Sequence, residues 1–143
     1  PFLAEMELAL GAATVIVSRA GASSLAEIAA MRLPALLIPF PAAADDHQLH
    51  NARAFADTGA AKYFEQADAT SANVAAALRE LVENNSTRAA IQTALAQWHQ
   101  PNAAAQIAET ILEAINAAAE ASTHHAPRTT RLAALGSWSV FLP

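Results

Sequence analysis

From residue 14 to residue 31 the sequence reads Thr14-Val15-Ile16-Val17-Ser18-Arg19-Ala20-Gly21-Ala22-Ser23-Ser24-Leu25-Ala26-Glu27-Ile28-Ala29-Ala30-Met31. Residues 14–17 are a continuous β-branched run that Ser18 closes, the pattern of a strand buried on both faces. Residues 19–24 form a turn of small residues, and Ser23 or Ser24 suits the N-cap of a helix that continues from Leu25 to Met31. Leu33-Pro34 breaks that helix. Ala35-Leu36-Leu37-Ile38 then predicts a second apolar strand, closed by Pro39. A loop rich in Pro and Ala follows over residues 40–46. Residues 47–58 predict a second helix, stopped by Gly59 at the C′ position. Ala61-Lys62-Tyr63-Phe64 predicts a short third strand.

Strand, helix, strand, helix, strand implies an α/β fold with parallel strands joined by right-handed crossovers. Upstream, residues 2–10 read as a short amphipathic helix, with Leu3, Met6 and Leu10 at helical spacing and Gly11 as its end. Downstream, helices are expected over about residues 71–84, 87–99 and 102–119, with Pro101 separating the last two. The pattern fails from about residue 121, so residues 121–143 read as a loose tail or linker. Three strands are few for a doubly wound sheet, and the chain does not begin with Met. The expectation is a partial sheet whose amino-terminal portion lies outside this chain.

The totals narrow the function. The chain has 143 residues, enough for one domain, with 54% hydrophobic residues. Its formal net charge is −5 with only 8 Lys plus Arg. This argues against a nucleic-acid partner, which calls for a basic face. A diphosphate ligand remains open, because backbone N–H groups hold phosphate without net positive charge. There is no cysteine, which excludes disulfides, thiolate metal sites and cysteine nucleophiles. The apolar run over residues 33–44 is too short, and too broken by Pro34, Pro39 and Pro41, to span a bilayer. The opening residues, Pro1 to Glu5, have no basic region and do not read as a signal peptide.

In parallel α/β sheets ligands bind outside the carboxyl ends of the strands, where the loops 19–24 and 40–46 lie. Gly21 permits close backbone approach. Ala22, Ser23 and Ser24 place small side chains and free N–H groups at a helix start, which favours an anion; the same residues also make an ordinary capped turn. Glu27 is repelled by phosphate, so a ribose diol suits it better, although a carboxylate early in a helix is also simple helix stabilisation. Gln48 and Asn51 share a helix face, and their amides suit sugar hydroxyls and an acetamido group. His47 and His50 lack a third ligand, so no metal site is read here; capping and solvation account for them. Trp98 and Trp138 read as packing residues, and His124-His125 as part of the tail.

In combination, the blocks Val15 to Ala30, Leu33 to Pro41, Ala44-Asp45-Asp46-His47-Gln48 and Asn51-Ala52-Arg53 strongly resemble the MurG family of UDP-N-acetylglucosamine transferases, over roughly residues 2–115. The resemblance implies the carboxyl-terminal, donor-binding half of a GT-B glycosyltransferase over residues 1–120. Within residues 1–120 it implies a partial doubly wound parallel sheet with the carboxyl-terminal helices after it, and that Phe2, Leu3 and Met6 line the uracil, Leu3 through its backbone. Gly21, Ala22, Ser23 and Ser24 match the diphosphate loop, Glu27 the ribose carboxylate, and Gln48 and Asn51 the N-acetylglucosamine contacts. Arg19 orients the loop or helps with charge. The implied reaction is an inverting transfer from UDP-GlcNAc to a lipid-linked muramoyl-pentapeptide in peptidoglycan synthesis, with no cofactor and no metal. The general base, acceptor site and membrane-facing surface are expected in the domain outside this chain. The full-length enzyme would then be cytoplasmic and peripheral on the plasma membrane, and this chain alone inactive. Where many relatives carry a histidine after the proline of the second loop, this chain has Ala42, which weakens a sugar or acid–base contact there. Three other readings fit: a glycosyltransferase with another donor sugar, a donor-binding subunit that works with a membrane partner, and a truncated product.

Overall fold

The computed structural model of the chain describes residues 3–123. These fall into two compact units that divide between Gln100 and Pro101. In chain order the first contains α1 (Met6–Ala12), β1 (Ile16–Ser18), α2 (Ala22–Met31), β2 (Ala35–Leu37), α3 (His47–Asp57), β3 (Lys62–Tyr63), α4 (Ser71–Glu83) and α5 (Asn85–Leu95). Single 3₁₀ turns lie at Ala44–Asp46 and Ala96–Trp98. The second unit carries α6 (Ala103–Thr123).

The strands form one parallel sheet in the order β1-β2-β3. Ile16 pairs with Ala35 and Ser18 with Leu37, while Leu36 pairs with Lys62 and Leu37 with Tyr63. Parallel neighbours need a crossover between them, and α2 and α3 supply it, so the α/β expectation holds. The central strand is buried throughout. Around it pack Leu25 and Ile28 of α2, Phe55 of α3, Leu81 of α4, and Ile91 and Leu95 of α5. Burying side chains of this size stabilises the fold by roughly 1.5–3 kcal/mol each.

The strands are shorter than the apolar runs that announced them. Burial of β1 on both faces is not found: Val17 is 46% exposed, and Ile16 and Ser18 are half-buried. β1 stands at the edge of the described sheet, so a neighbouring strand shields it from one side only. Pro34 limits the ladder as well, because it accepts from the Ile16 N–H at 3.0 Å but has no N–H to return.

Helix boundaries also differ from expectation, in α1 and α2 most clearly. α1 starts at Met6, leaving Leu3 before it, and runs through Gly11 to Ala12. It ends because Ala13 turns extended, which needs no glycine. α2 starts earlier than read. Its N-cap is Gly21, at φ −73° and ψ 146°, and Ser23 and Ser24 lie inside the first turn with no side chain capping it. The Gly21 carbonyl accepts from the Leu25 N–H at 3.0 Å, which closes the first turn there.

The ends of α2 and α3 are built alike. Leu33 N–H donates to Ile28 O and Arg32 N–H to Ala29 O; Ala60 N–H donates to Phe55 O and Gly59 N–H to Ala56 O. Each pair is a Schellman closure around a left-handed residue, Arg32 at φ 48° and Gly59 at φ 75°. The packing role expected for Trp98 is found. Its ring stacks on Phe55 at 4.1 Å between centroids, and its Nε1 donates to Thr58 Oγ1 at 2.9 Å. Asn84 both ends α4 and caps α5, accepting from the Thr87 N–H at 3.0 Å.

In the second unit α6 continues to Thr123, past the residue where the helical pattern fades in the sequence. Ile107, Ile111, Leu112 and Ile115 are each more than half exposed. Among the described residues no helix is long and apolar enough to cross a membrane. Phe2, His124, His125 and Trp138 lie outside the described residues.

Candidate functional site

β1 ends at Ser18 and runs through Arg19, Ala20 and Gly21 into α2; β2 ends at Leu37 and runs through the longer loop into α3. Because the two strands are adjacent and parallel, both loops leave the same end of the sheet, the end at which α/β folds bind ligands. An open depression of about 290 Å³ lies there, lined by Val17, Ser18, Arg19, Ile38, Gln66 and Ala69.

The start of α2 is open. Ala22 and Ser23 are exposed, and Gly21 and Ser24 are half-buried. The first amides of a helix have no acceptor within it, and no side chain supplies one here. These donors therefore lack an acceptor among the described residues and lie at the positive end of the helix dipole. A Cβ built on Gly21 would meet nothing within 4 Å, so the approach to the loop is clear. Glu27 is exposed, lies beyond the first turn of α2, and forms no hydrogen bond or ion pair with the described residues. First-turn helix stabilisation thus does not explain it. Its carboxylate is uncommitted.

Gln48 and Asn51 are half-buried on the first turns of α3. Each has one end of its amide engaged. The Phe40 N–H donates to Gln48 Oε1 at 3.0 Å. Asn51 Nδ2 donates to the Ala20 carbonyl at 3.0 Å. A backbone N–H can only donate and a carbonyl can only accept, so the chemistry itself assigns which end is which. The sequence left both amides able to donate and accept. The structure leaves Gln48 presenting its NH₂ and Asn51 presenting its Oδ1.

Arg19 is also committed. Its Nη1 lies 3.0 Å from Ile38 O, 3.1 Å from Pro39 O and 2.8 Å from Gln66 Oε1. Its guanidinium carbon stands 5.7 Å over the Phe40 ring. Arg19 and Gly21 in the first loop are therefore tied by hydrogen bonds to the second loop, through Ile38 O and Pro39 O, and to α3, through Asn51 and Ala20 O. Leu3 and Met6 expose 51% and 46% of their surface and take no part in those bonds. Ala42 is exposed in the second loop, where Asp45 and Asp46 both adopt left-handed backbone angles, φ 50° and 52°.

Among the described residues no three His, Asp or Glu side chains stand together as a metal site. His47 Nδ1 is 2.7 Å from Ala44 O, the capping and loop contact expected of it, and His50 is exposed. The far side of α3 is held by Arg53, whose guanidinium meets Glu65 at 2.8 Å. That hydrogen bond, and a second to Tyr63, raise its pKa further above the ordinary range. Sequence reading missed Gln66 and the Phe40 backbone. Gln66 is 47 positions from Arg19, and no local pattern marks it.

Comparison with known proteins bears on this arrangement. Residues 1–122 match the glycosyltransferase family 28 C-terminal domain. The UDP-N-acetylglucosamine--N-acetylmuramyl-(pentapeptide) pyrophosphoryl-undecaprenol N-acetylglucosamine transferase of Anaeromyxobacter sp. (strain K) is 38% identical over 114 residues, covering 80% of this chain and 30% of that protein. The protein of the same name from Sorangium cellulosum (strain So ce56) is 42% identical over 113 residues, covering 79% and 28%. The crystal structure of Acinetobacter baumannii MurG aligns with a TM-score of 0.69 at 34% identity, over 79% of this chain and 34% of the solved one. This chain spans less than a third of the length of those two curated relatives.

Proposed function

Because the chain belongs to the glycosyltransferase family 28 C-terminal domain family, we propose that it is the donor-binding part of an inverting transferase. That enzyme passes N-acetylglucosamine from UDP-GlcNAc to a lipid-linked muramoyl-pentapeptide in peptidoglycan synthesis. The observation that carries the reading is the start of α2, where uncapped amides follow Gly21 and the free carboxylate of Glu27 stands further along the same helix.

The residues divide the donor between them. Amides after Gly21 hold the diphosphate, with Ser24 adding a hydroxyl. Glu27 accepts from the ribose hydroxyls. Leu3 and Met6 flank the uracil together with Phe2, and Gln48 and Asn51 take the sugar. In the transfer, the muramoyl 4-hydroxyl oxygen bonds to C1 of the sugar as the C1–O bond to the diphosphate breaks. The hydroxyl proton passes to a base that we assign to the remainder of the polypeptide, as we do the acceptor site and contact with the inner face of the plasma membrane. Negative charge grows on the departing diphosphate, and fixed amides at a helix start stabilise it without reorganising.

Calorimetric titration tests the reading. The chain is expected to bind UDP-GlcNAc and to release it to excess UDP. A carboxylate accepting from hydroxyls contributes more than a neutral amide, so Glu27→Gln should weaken binding about ten- to a hundredfold. No heat with either UDP or UDP-GlcNAc, or equal affinity in Glu27→Gln, rules the site out.

A further inference from the structure

The hydrogen bonds of Arg19 and Gln48 meet on a single peptide group. Pro39 O accepts from Arg19 Nη1 at 3.1 Å, and the N–H of the same peptide, that of Phe40, donates to Gln48 Oε1 at 3.0 Å. No described peptide bond is cis, and in a trans peptide the C=O and N–H point in opposite directions from one rigid plane. A group that holds the carbonyl therefore sets where the N–H points. The arrangement is also cooperative, because a cation on the carbonyl polarises the peptide and strengthens the bond its N–H makes. The geometry assigns Arg19 and Gln66 a positioning role: through the Pro39–Phe40 peptide they hold the Gln48 amide with its oxygen inward and its NH₂ presented as a hydrogen-bond donor to the donor sugar.

Three features support this over a direct contact between Arg19 and phosphate. First, Nη1 is occupied by three oxygen acceptors contributed from two other segments, the Ile38–Pro39 backbone and Gln66. Second, the Phe40 ring lies beneath the guanidinium at 5.7 Å, so residue 40 is held through its ring as well as its peptide. Third, the acceptor on Gln66 comes from the segment after β3, which ties the ends of all three strands to one cation. Gln66 has no share in the donor contacts proposed above; it acts by fixing Arg19.

The inference rests on the donor-site reading, and the experiment separates the two. Affinities for UDP and UDP-GlcNAc are measured by calorimetry on the full 143-residue chain and on Arg19→Ala, Arg19→Lys, Gln66→Ala and Gln66→Glu. In parallel, the Phe40 amide proton is followed by NMR, with the Trp98 indole proton reporting that the fold persists. Losing a positioned donor should cost UDP-GlcNAc about tenfold in Arg19→Ala while UDP changes less than about threefold. Arg19→Lys should recover little, because the ammonium ends one bond short of Nη1 and lacks the planar group that stands over the Phe40 ring. Gln66→Ala should shift both readouts in the same direction, and Gln66→Glu, which keeps the acceptor, should restore them. The Phe40 amide should move upfield in Arg19→Ala and Gln66→Ala as its hydrogen bond weakens. Equal losses for UDP and UDP-GlcNAc in Arg19→Ala would make Arg19 a phosphate ligand and overturn the proposal. So would a Phe40 amide that stays in place in both alanine variants. A wild-type chain that binds neither ligand defeats the donor-site reading, and the Phe40 amide then decides the relay by itself.

Discussion

Asn51 shows how one side chain serves both structure and ligand. Its Nδ2 donates to Ala20 O, the carbonyl just before the Gly21 loop, so the amide that we propose meets the sugar also holds the loop that we propose meets the diphosphate. Asn51→Asp keeps the shape and removes the donor, setting a carboxylate oxygen against a carbonyl oxygen. Unpairing such a group costs roughly 1–3 kcal/mol. Thermal unfolding of Asn51→Asp should show a loss of that size, and UDP affinity should fall along with UDP-GlcNAc affinity because the loop itself is disturbed. A variant with wild-type stability and wild-type UDP binding would contradict the link. At this scale the sequence was informative about residue type and silent about orientation. Gln48 and Asn51 stood out by spacing, yet nothing in the chain says which end of each amide is engaged. Glu27 was readable both as a helix carboxylate and as a partner for a ribose diol, and its exposure and lack of a partner among the described residues favour the second.

The ends of α2 and α3 provide a matched comparison between elements. Both close with the same pair of backbone hydrogen bonds, but one has Arg32 in the left-handed position and the other Gly59. A side chain pays a steric penalty at that position that glycine avoids. Arg32→Gly is therefore expected to stabilise the chain by about 1 kcal/mol, and Gly59→Ala to destabilise it by about the same. The space beside Gly59 is sufficient, since a Cβ there would lie 4.0 Å from the Ala94 Cβ, so the loss would be conformational and not steric crowding. Urea unfolding of the two variants checks both signs; a destabilised Arg32→Gly would mean that the arginine side chain contributes more than its backbone strain costs. Gly59 was legible as a helix end because glycine is the common residue there. Arg32 was not, although the Pro34 that follows it marked the boundary.

For the molecule as a whole, the sheet carries the first unit. Leu36 has no exposed surface, lies in the central strand and pairs on both sides. Leu36→Ala should cost about 2–5 kcal/mol, through lost burial and the cavity left behind. Chemical denaturation should show an unfolding free energy lowered by that amount; a smaller loss would mean that α2 and α3 collapse into the gap. The alternation of strands and helices was determined by the sequence alone, as were the parallel sheet it demands and the small-residue turn at a helix start. The alternation and the turn depend on side-chain periodicity and helix hydrogen bonds that operate within a few residues along the chain, and the parallel sheet follows from the crossover each helix must make. The exposure of Val17, the start of α2 at Gly21 and the commitments of Arg19, Gln48 and Asn51 were decided by tertiary structure. The decisive hydrogen bonds join residues 47, 8 and 31 positions apart. They exist only after packing has brought the ends of three strands to one edge, and that proximity has no counterpart in the order of the residues.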